Sequence, residues 1–123
     1  MSTTLQLLHS NVCADRYDYG RTWRKRRPFF VAIAKAHAPH LVTLTECQAP
    51  AAASLAADLN LHAWSFQGSS VLYNPRVLRP SRLLEEKRWL TGSQTHALLA
   101  VELEVIATGQ LFNVLVSHLP PFI

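Results

Sequence analysis

A short apolar segment that ends in a carboxylate limits the folds open to this chain. Residues 41–45 (LVTLT) have the apolar and β-branched composition of a buried strand, and Glu46 follows directly. A carboxylate in a buried setting is costly unless it is paired or bound to a metal ion. Two further apolar segments end in a polar side chain, at Asn11 (LQLLHSN) and at His118 (FNVLVSH). An acid, an amide and an imidazole at the ends of separate strands predict a site that holds a metal ion and a phosphate.

The hydrophobic periodicity predicts the order β-α-β-α followed by a run of antiparallel strands. Strands are expected at residues 5–12 and 41–45, and helices at 24–38 and 51–59, with Pro28 in the first turn of the first helix. The later strands are expected at 63–66, 69–73, 77–90 (as one strand or a pair), 97–107 and 111–118. This order predicts an α+β layered domain, one sheet with helices on one face.

Length and charge are compatible with one domain that meets a polyanion. The chain has 123 residues, of which 49% are hydrophobic, and its net charge is +4. Five basic residues fall within seven positions: Arg21, Arg24, Lys25, Arg26 and Arg27. One interpretation is a patch that steers phosphates, and therefore nucleic acid, toward Asn11. The other is a solvated helix start, although positive charge there opposes the helix dipole.

Several protein classes are disfavoured by composition. No run of about 18 apolar residues is present, which argues against a membrane span. The first ten residues lack the basic and apolar regions of a signal peptide. Cys13 and Cys47 have no zinc-ligand spacing and do not indicate a disulfide framework. A cytoplasmic protein with no membrane partner is therefore expected.

Five segments, taken in order, carry a resemblance to a known family. They are LLHSNV (7–12), Trp23 with Arg26, PHLVTLTE (39–46), VLYNP (71–75) and FNVLVSHL (112–119). Together they resemble the endonuclease/exonuclease/phosphatase superfamily, which includes deoxyribonuclease I, abasic-site endonucleases, sphingomyelinases and inositol-phosphate 5-phosphatases. The resemblance implies a deoxyribonuclease I-like sandwich with outer helices, and a divalent-metal-dependent phosphodiesterase or phosphomonoesterase activity. Residues 1–123 would form the N-terminal portion of such a domain, one sheet with two helices.

The resemblance also implies roles for individual residues. Asn11 matches the active-site Asn at the end of the family's first strand. Glu46 matches the Glu that binds Mg²⁺ (or Mn²⁺) in the family's LQE motif, written LTE here. His118 matches the phosphate-contacting His of the THL motif, written SHL here. Gln48 is neutral at a place where some nuclease members carry a basic residue.

Two later motifs of the family have no counterpart in the sequence. These are an Asp-x-Asn segment that comes after the SHL position, whose Asp activates water, and a terminal Ser-Asp-His segment. The expectation is a truncated hydrolase that is inactive or weak by itself. The alternative is a non-catalytic half-domain that binds nucleic acid or a partner chain. Exposed apolar sheet surface would then favour self-association or a complementing C-terminal half.

Overall fold

The computed structural model describes residues 4–12, 17–91 and 94–117. The elements are β1 (Leu7–Asn11), α1 (Tyr17–His37), β2 (Leu41–Thr45), α2 (Ala49–Leu59), β3 (His62–Phe66), β4 (Ser69–Tyr73), β5 (Leu78–Thr91), β6 (Gln94–Val105) and β7 (Leu111–Ser117). Two helices and two facing groups of strands confirm the expected α+β layered class. Neither helix, over the residues described, combines the length and the apolar character needed to cross a bilayer.

The strands divide into two sheets, where the sequence predicted one. The first sheet has the order β1-β2-β4-β3, and the second has the order β5-β6-β7. In the first sheet β1 is parallel to β2, whereas β2–β4 and β3–β4 are antiparallel pairs. All five residues of β2 are buried, so this strand needs cover on both of its faces. The helices cover one face, and the second sheet covers the other.

Two hydrophobic cores result, one on each face of the first sheet. On the helix side, Val42, Leu44 and Leu72 pack with residues of α1 and α2. On the other side, Leu41 and Val71 pack against the inner face of the second sheet. The second sheet contributes alternate residues of β6 and β7: Leu99, Val101, Leu103, Val105, Val114 and Val116. The period-two alternation of these strands therefore fixes the face that each side chain presents.

Helix α1 begins at Tyr17, not at Arg24 as expected, so Pro28 lies inside the helix. The residues before Arg24 include Asp and Gly, which favour turns in isolation. Trp23 is nevertheless a buried core residue, and its ring meets that of Phe30 edge-on at 5.8 Å. Tertiary packing of this helical face overrides the local turn preference. Pro28 has no N–H to donate within the helix, which removes one helical hydrogen bond.

Candidate functional site

Asn11 and Glu46 lie at the same end of the first sheet. Because β1 and β2 are parallel, their carboxyl ends meet, and Asn11 stands opposite Thr45 in the ladder. The Val12 N–H donates to the Thr45 carbonyl at 3.2 Å, so the pairing continues past both strand ends. Glu46 follows Thr45 directly. Asn11 and Glu46, two of the residues that the sequence singled out at strand ends, thus occupy neighbouring positions on adjacent strands.

The backbone at Glu46 adopts a left-handed conformation and is held firmly on its C-terminal side. Glu46 has a backbone φ of 54°, in a region that residues other than glycine rarely adopt. Cys47, which is fully buried, donates its N–H to the Gly68 carbonyl at 3.0 Å, and its carbonyl accepts from the Ser70 hydroxyl at 3.2 Å. Such local strain occurs often at functional sites, where surrounding contacts fix it. Glu46 is therefore partly buried on a backbone that its neighbours hold in place.

The left-handed backbone makes a stability prediction that is independent of chemistry. Glu46→Gly is expected to be more stable than Glu46→Ala by about 1 kcal/mol, because only glycine lacks the Cβ penalty at positive φ. Both variants lose the same carboxylate, so urea denaturation isolates the backbone contribution. The control is Ala53→Gly, at an exposed position inside α2, where glycine is expected to cost about 1 kcal/mol. Equal stability of the two Glu46 variants would contradict the prediction.

A second imidazole lies close to this end of the sheet, and sequence reasoning did not single it out. His9 stands two residues before Asn11 and therefore on the same face of β1. Its Nδ1 shares a hydrogen bond of 2.7 Å with the hydroxyl of Thr43 on β2. That bond fixes the ring beside the buried strand. The i, i+2 spacing between His9 and Asn11 in a strand was the sequence signal for this proximity.

His118 lies outside the described residues, but the residue before it is placed. Ser117 ends β7 and stands opposite Leu98 near the start of β6. The carbonyl of the neighbouring Ala97 accepts a hydrogen bond from the Ser69 hydroxyl at 3.3 Å. Ser69 opens β4, which is antiparallel to β2, so it lies at the end of the first sheet where β2 finishes. The last described residue, Ser117, therefore lies at the same end of the sandwich as Asn11.

Two members of the basic run make contacts within the protein. Arg26 donates from Nη2 to the Val12 carbonyl at 2.8 Å, and its guanidinium lies 5.3 Å from the centre of the Trp23 ring. Arg27 forms an ion pair of 2.8 Å with Asp58 of α2. Arg26 thus ties α1 to the end of β1, and Arg27 ties α1 to α2. Neither contact leaves the side chain as a simple solvated cation.

Two further members of the run have exposed side chains. Arg24 and Lys25 are exposed on α1, one turn or less from Arg26. Arg21 belongs to the backbone of α1, but its side chain lies outside the described part. Because Arg26 contacts Val12, this turn of the helix lies beside the strand that carries Asn11. Among the members of the run whose side chains are described, Arg24 and Lys25 are therefore the ones open to solvent.

The contacts of Arg26 predict a structural role that its exposed neighbour does not share. Arg26→Ala is expected to lower the free energy of unfolding by about 1–2 kcal/mol, since it leaves the Val12 carbonyl without this donor and removes the stacking on Trp23. Arg24→Ala removes the same charge from an exposed position and is expected to stay within about 0.5 kcal/mol of wild type. Equilibrium denaturation compares the two. Equal effects would mean that the Arg26 contacts contribute nothing.

The donor set at this end suits a hard cation that keeps most of its water. Within the described residues, no group of three or more His, Cys, Asp and Glu side chains forms a metal cluster. Mg²⁺ is often held by one or two carboxylates, several waters and a substrate phosphate, so a full protein cage is not required. The partly buried carboxylate of Glu46, next to the Asn11 position, fits that sparse type of site.

Comparison with known proteins shows similarity in structure. No protein-family model matches the sequence, and no characterised protein matches it at a significant level. An endonuclease/exonuclease/phosphatase protein from Bacteroides vulgatus is 15% identical and superposes with a TM-score of 0.74, over 95% of this chain and 53% of that chain. The human Nocturnin catalytic domain with bound sulfate is 17% identical, with a TM-score of 0.72 over 94% of this chain and 49% of that chain.

A third structure is TDP2 from D. rerio, complexed with a single strand DNA product. It is 18% identical, with a TM-score of 0.64 over 94% of this chain and 46% of that chain. The chain thus spans about half the length of the solved structures that it resembles. Identities this low establish a shared fold. The described chain has the fold of about half of an endonuclease/exonuclease/phosphatase protein.

Proposed function

We propose that this chain supplies the metal-binding and phosphate-binding part of a Mg²⁺-dependent phosphodiester hydrolase that acts on nucleic acid. The proposal rests on one observation above the others. Asn11 ends β1 opposite Thr45, the residue that precedes Glu46 on the parallel strand β2. The fold that holds the two residues is shared with endonuclease/exonuclease/phosphatase structures. An amide and a carboxylate in this setting match the chemistry of a phosphate bound through a hard cation.

Each residue has a distinct proposed role. Glu46 would hold Mg²⁺ or Mn²⁺, an ion that polarises the phosphoryl oxygen and offsets negative charge in the transition state when bound. The side-chain NH₂ of Asn11 would donate to a non-bridging phosphate oxygen and fix its orientation. His118 would donate to a second phosphate oxygen or carry a proton to the leaving group. The hydrogen-bonded backbone at Cys47 would limit movement of Glu46 during the reaction.

Hydrolysis also requires a group that takes the proton from water. The sequence holds one Asp-x-Asn, Asp58-Leu59-Asn60 at the end of α2, and its Asp58 pairs with Arg27. The segment that serves this purpose in the family lies later, and no Asp-x-Asn follows His118 in the 123 residues. We propose that a complementing C-terminal half contributes it. Each sheet of the described part has two edge strands, among them β1 and β7. Leu7 of β1 and Leu115 of β7 are 63% and 66% exposed. Strand edges of this kind with apolar neighbours can accept further strands.

Nucleic acid is the proposed substrate class because of charge and placement. Arg24 and Lys25 are exposed on the turn of α1 that Arg26 holds beside β1. The phosphates of a nucleic-acid strand would meet these cations as the nucleic acid approaches Asn11. A structure of the same fold is complexed with a single strand DNA product, which supports the same class. The alternative function is a non-catalytic module that binds nucleic acid through the same exposed cations.

The test is nicking of supercoiled plasmid over a titration of Mg²⁺ and, separately, of Mn²⁺. Cleavage that requires the metal supports the hydrolase. DNA binding that weakens with salt, without cleavage under any metal condition, supports the non-catalytic module for this chain alone. Arg24→Gln combined with Lys25→Gln is expected to reduce the slope of binding against salt concentration in both cases. An unchanged slope would exclude this part of α1 as the nucleic-acid contact.

A further inference from the structure

A cavity of about 730 Å³ opens at the end of the first sheet that lies away from Glu46. It is bordered by the last turns of α1 and α2, by His62 at the start of β3 and by Asn74 just after β4. Because β4 runs antiparallel to β2, the last residue of β4 lies at the opposite end of the sheet from the last residue of β2. The volume of the cavity falls within the range of pockets that hold small organic ligands.

The polar lining of this cavity carries positive charge without a carboxylate. Lys35, His62 and Arg76 contribute basic groups, and no Asp or Glu occurs among the described residues that line it. The carboxylate nearest in sequence is Asp58, which is engaged by Arg27 at 2.8 Å. Three basic side chains around one opening favour an anionic ligand.

These basic groups are not required to cap the helices that end at the cavity. Cations are common near helix C-termini because they satisfy the last carbonyls. Here backbone N–H groups already donate to carbonyls in the last turns of both α1 and α2. The Ala38 N–H donates to the carbonyls of Ala34 and Lys35 at 3.0 and 3.2 Å, and the Leu61 N–H donates to that of Ala56 at 2.8 Å. The positive charge therefore has no assigned structural partner in the two caps.

Apart from Asn60 and Asn74, the remaining lining is apolar and gives the cavity a second chemical face. Its members are Ala34, Ala38, Pro39, Ala57, Leu59, Leu61 and Pro75. An inorganic anion would leave this surface uncovered, whereas an organic phosphate would cover it. We propose that the cavity binds a small organic phosphate of nucleoside monophosphate chemistry. Its phosphate meets Lys35, His62 and Arg76, and its base lies against the apolar wall.

The proposal is tested by calorimetric titration of the protein with AMP, with adenosine and with inorganic phosphate, all in EDTA. AMP is expected to bind at least about tenfold more tightly than either half of the molecule, because only AMP uses both faces. Lys35→Gln combined with Arg76→Gln is expected to weaken AMP binding at least about tenfold. The matched control, Lys87→Gln combined with Arg88→Gln on β5, makes the same change of charge at exposed positions of the second sheet and should leave affinity unchanged.

Two further measurements locate the binding. Glu46→Ala should bind AMP as wild type does, which separates this cavity from the site at the other end of the sheet. The ring C–H resonances of His62, assigned with His62→Ala, should move on addition of AMP to the wild-type protein. Saturable binding with those shifts supports the proposal. An equal loss in both double variants, a loss in Glu46→Ala, or unmoved His62 resonances would overturn it, whatever the outcome of the nuclease assay.

Discussion

Replacing Glu46 by Gln is expected to abolish the metal-dependent part of DNA cleavage, a loss of at least about a hundredfold. The amide has the size of the carboxylate but lacks the charge that a hard cation requires. Metal polarisation of a phosphoryl oxygen contributes several kcal/mol to the transition state, and about 1.4 kcal/mol corresponds to each tenfold change in rate. The measurement is the initial rate of plasmid nicking against Mg²⁺ concentration, with the complementing half present if the chain alone is inactive.

A matched substitution separates the metal ligand from a general loss of negative charge. Glu86→Gln changes an exposed carboxylate on β5 and should leave the metal dependence unaltered. The Mg²⁺-dependent increase in affinity for a single-stranded oligonucleotide gives a second readout that does not require cleavage. This increase should vanish in Glu46→Gln and persist in Glu86→Gln. Retained metal dependence in Glu46→Gln would remove Glu46 from the site.

Leu72→Ala is expected to have the largest effect on stability, about 2–5 kcal/mol. Leu72 is fully buried in the helix-side core and stands opposite Val42 in the ladder between β2 and β4. Truncation removes its transfer free energy and leaves a cavity that the paired strands cannot readily close. Urea denaturation monitored by Trp fluorescence measures the change. The control is Leu115→Ala, 66% exposed on β7, which should stay within about 0.5 kcal/mol of wild type.

Much of the secondary structure followed from local pattern, while the division into sheets did not. The bounds of β2 and β4 were predicted to the residue, because each is a short apolar segment with turn residues beside it. Alternation identifies which face of a strand is buried, but it does not say which strands share a sheet. The continuous apolar and β-branched composition of residues 41–45 was the available indication that a second layer was needed. The start of helix α1 was predicted too far along the sequence, because Trp23 packs in a core whose other members are distant in sequence.

The candidate site divides in the same way. Asn11 and Glu46 were identified from their positions after apolar segments, and parallel pairing then determines their proximity. The hydrogen bonds that Arg26 makes to Val12 and Arg27 makes to Ser54 were not predictable, because these partners lie 14 and 27 residues away in the sequence. The four members of the basic run whose side chains are described therefore divide into two cations with intramolecular contacts and two exposed ones. His118 remains a prediction from the resemblance.

Strand β2 belongs to both hydrophobic cores, since Leu41 packs on one side of it and Val42 and Leu44 on the other. Neither core can open fully while this strand keeps its place between β1 and β4. The amide hydrogens of β2 should therefore exchange with solvent only when the whole domain unfolds. The far end of the β5–β6 hairpin, where Leu90 is exposed, should exchange through smaller openings. We therefore expect the segment that presents Glu46 to be anchored in the slowest-exchanging part of the described structure.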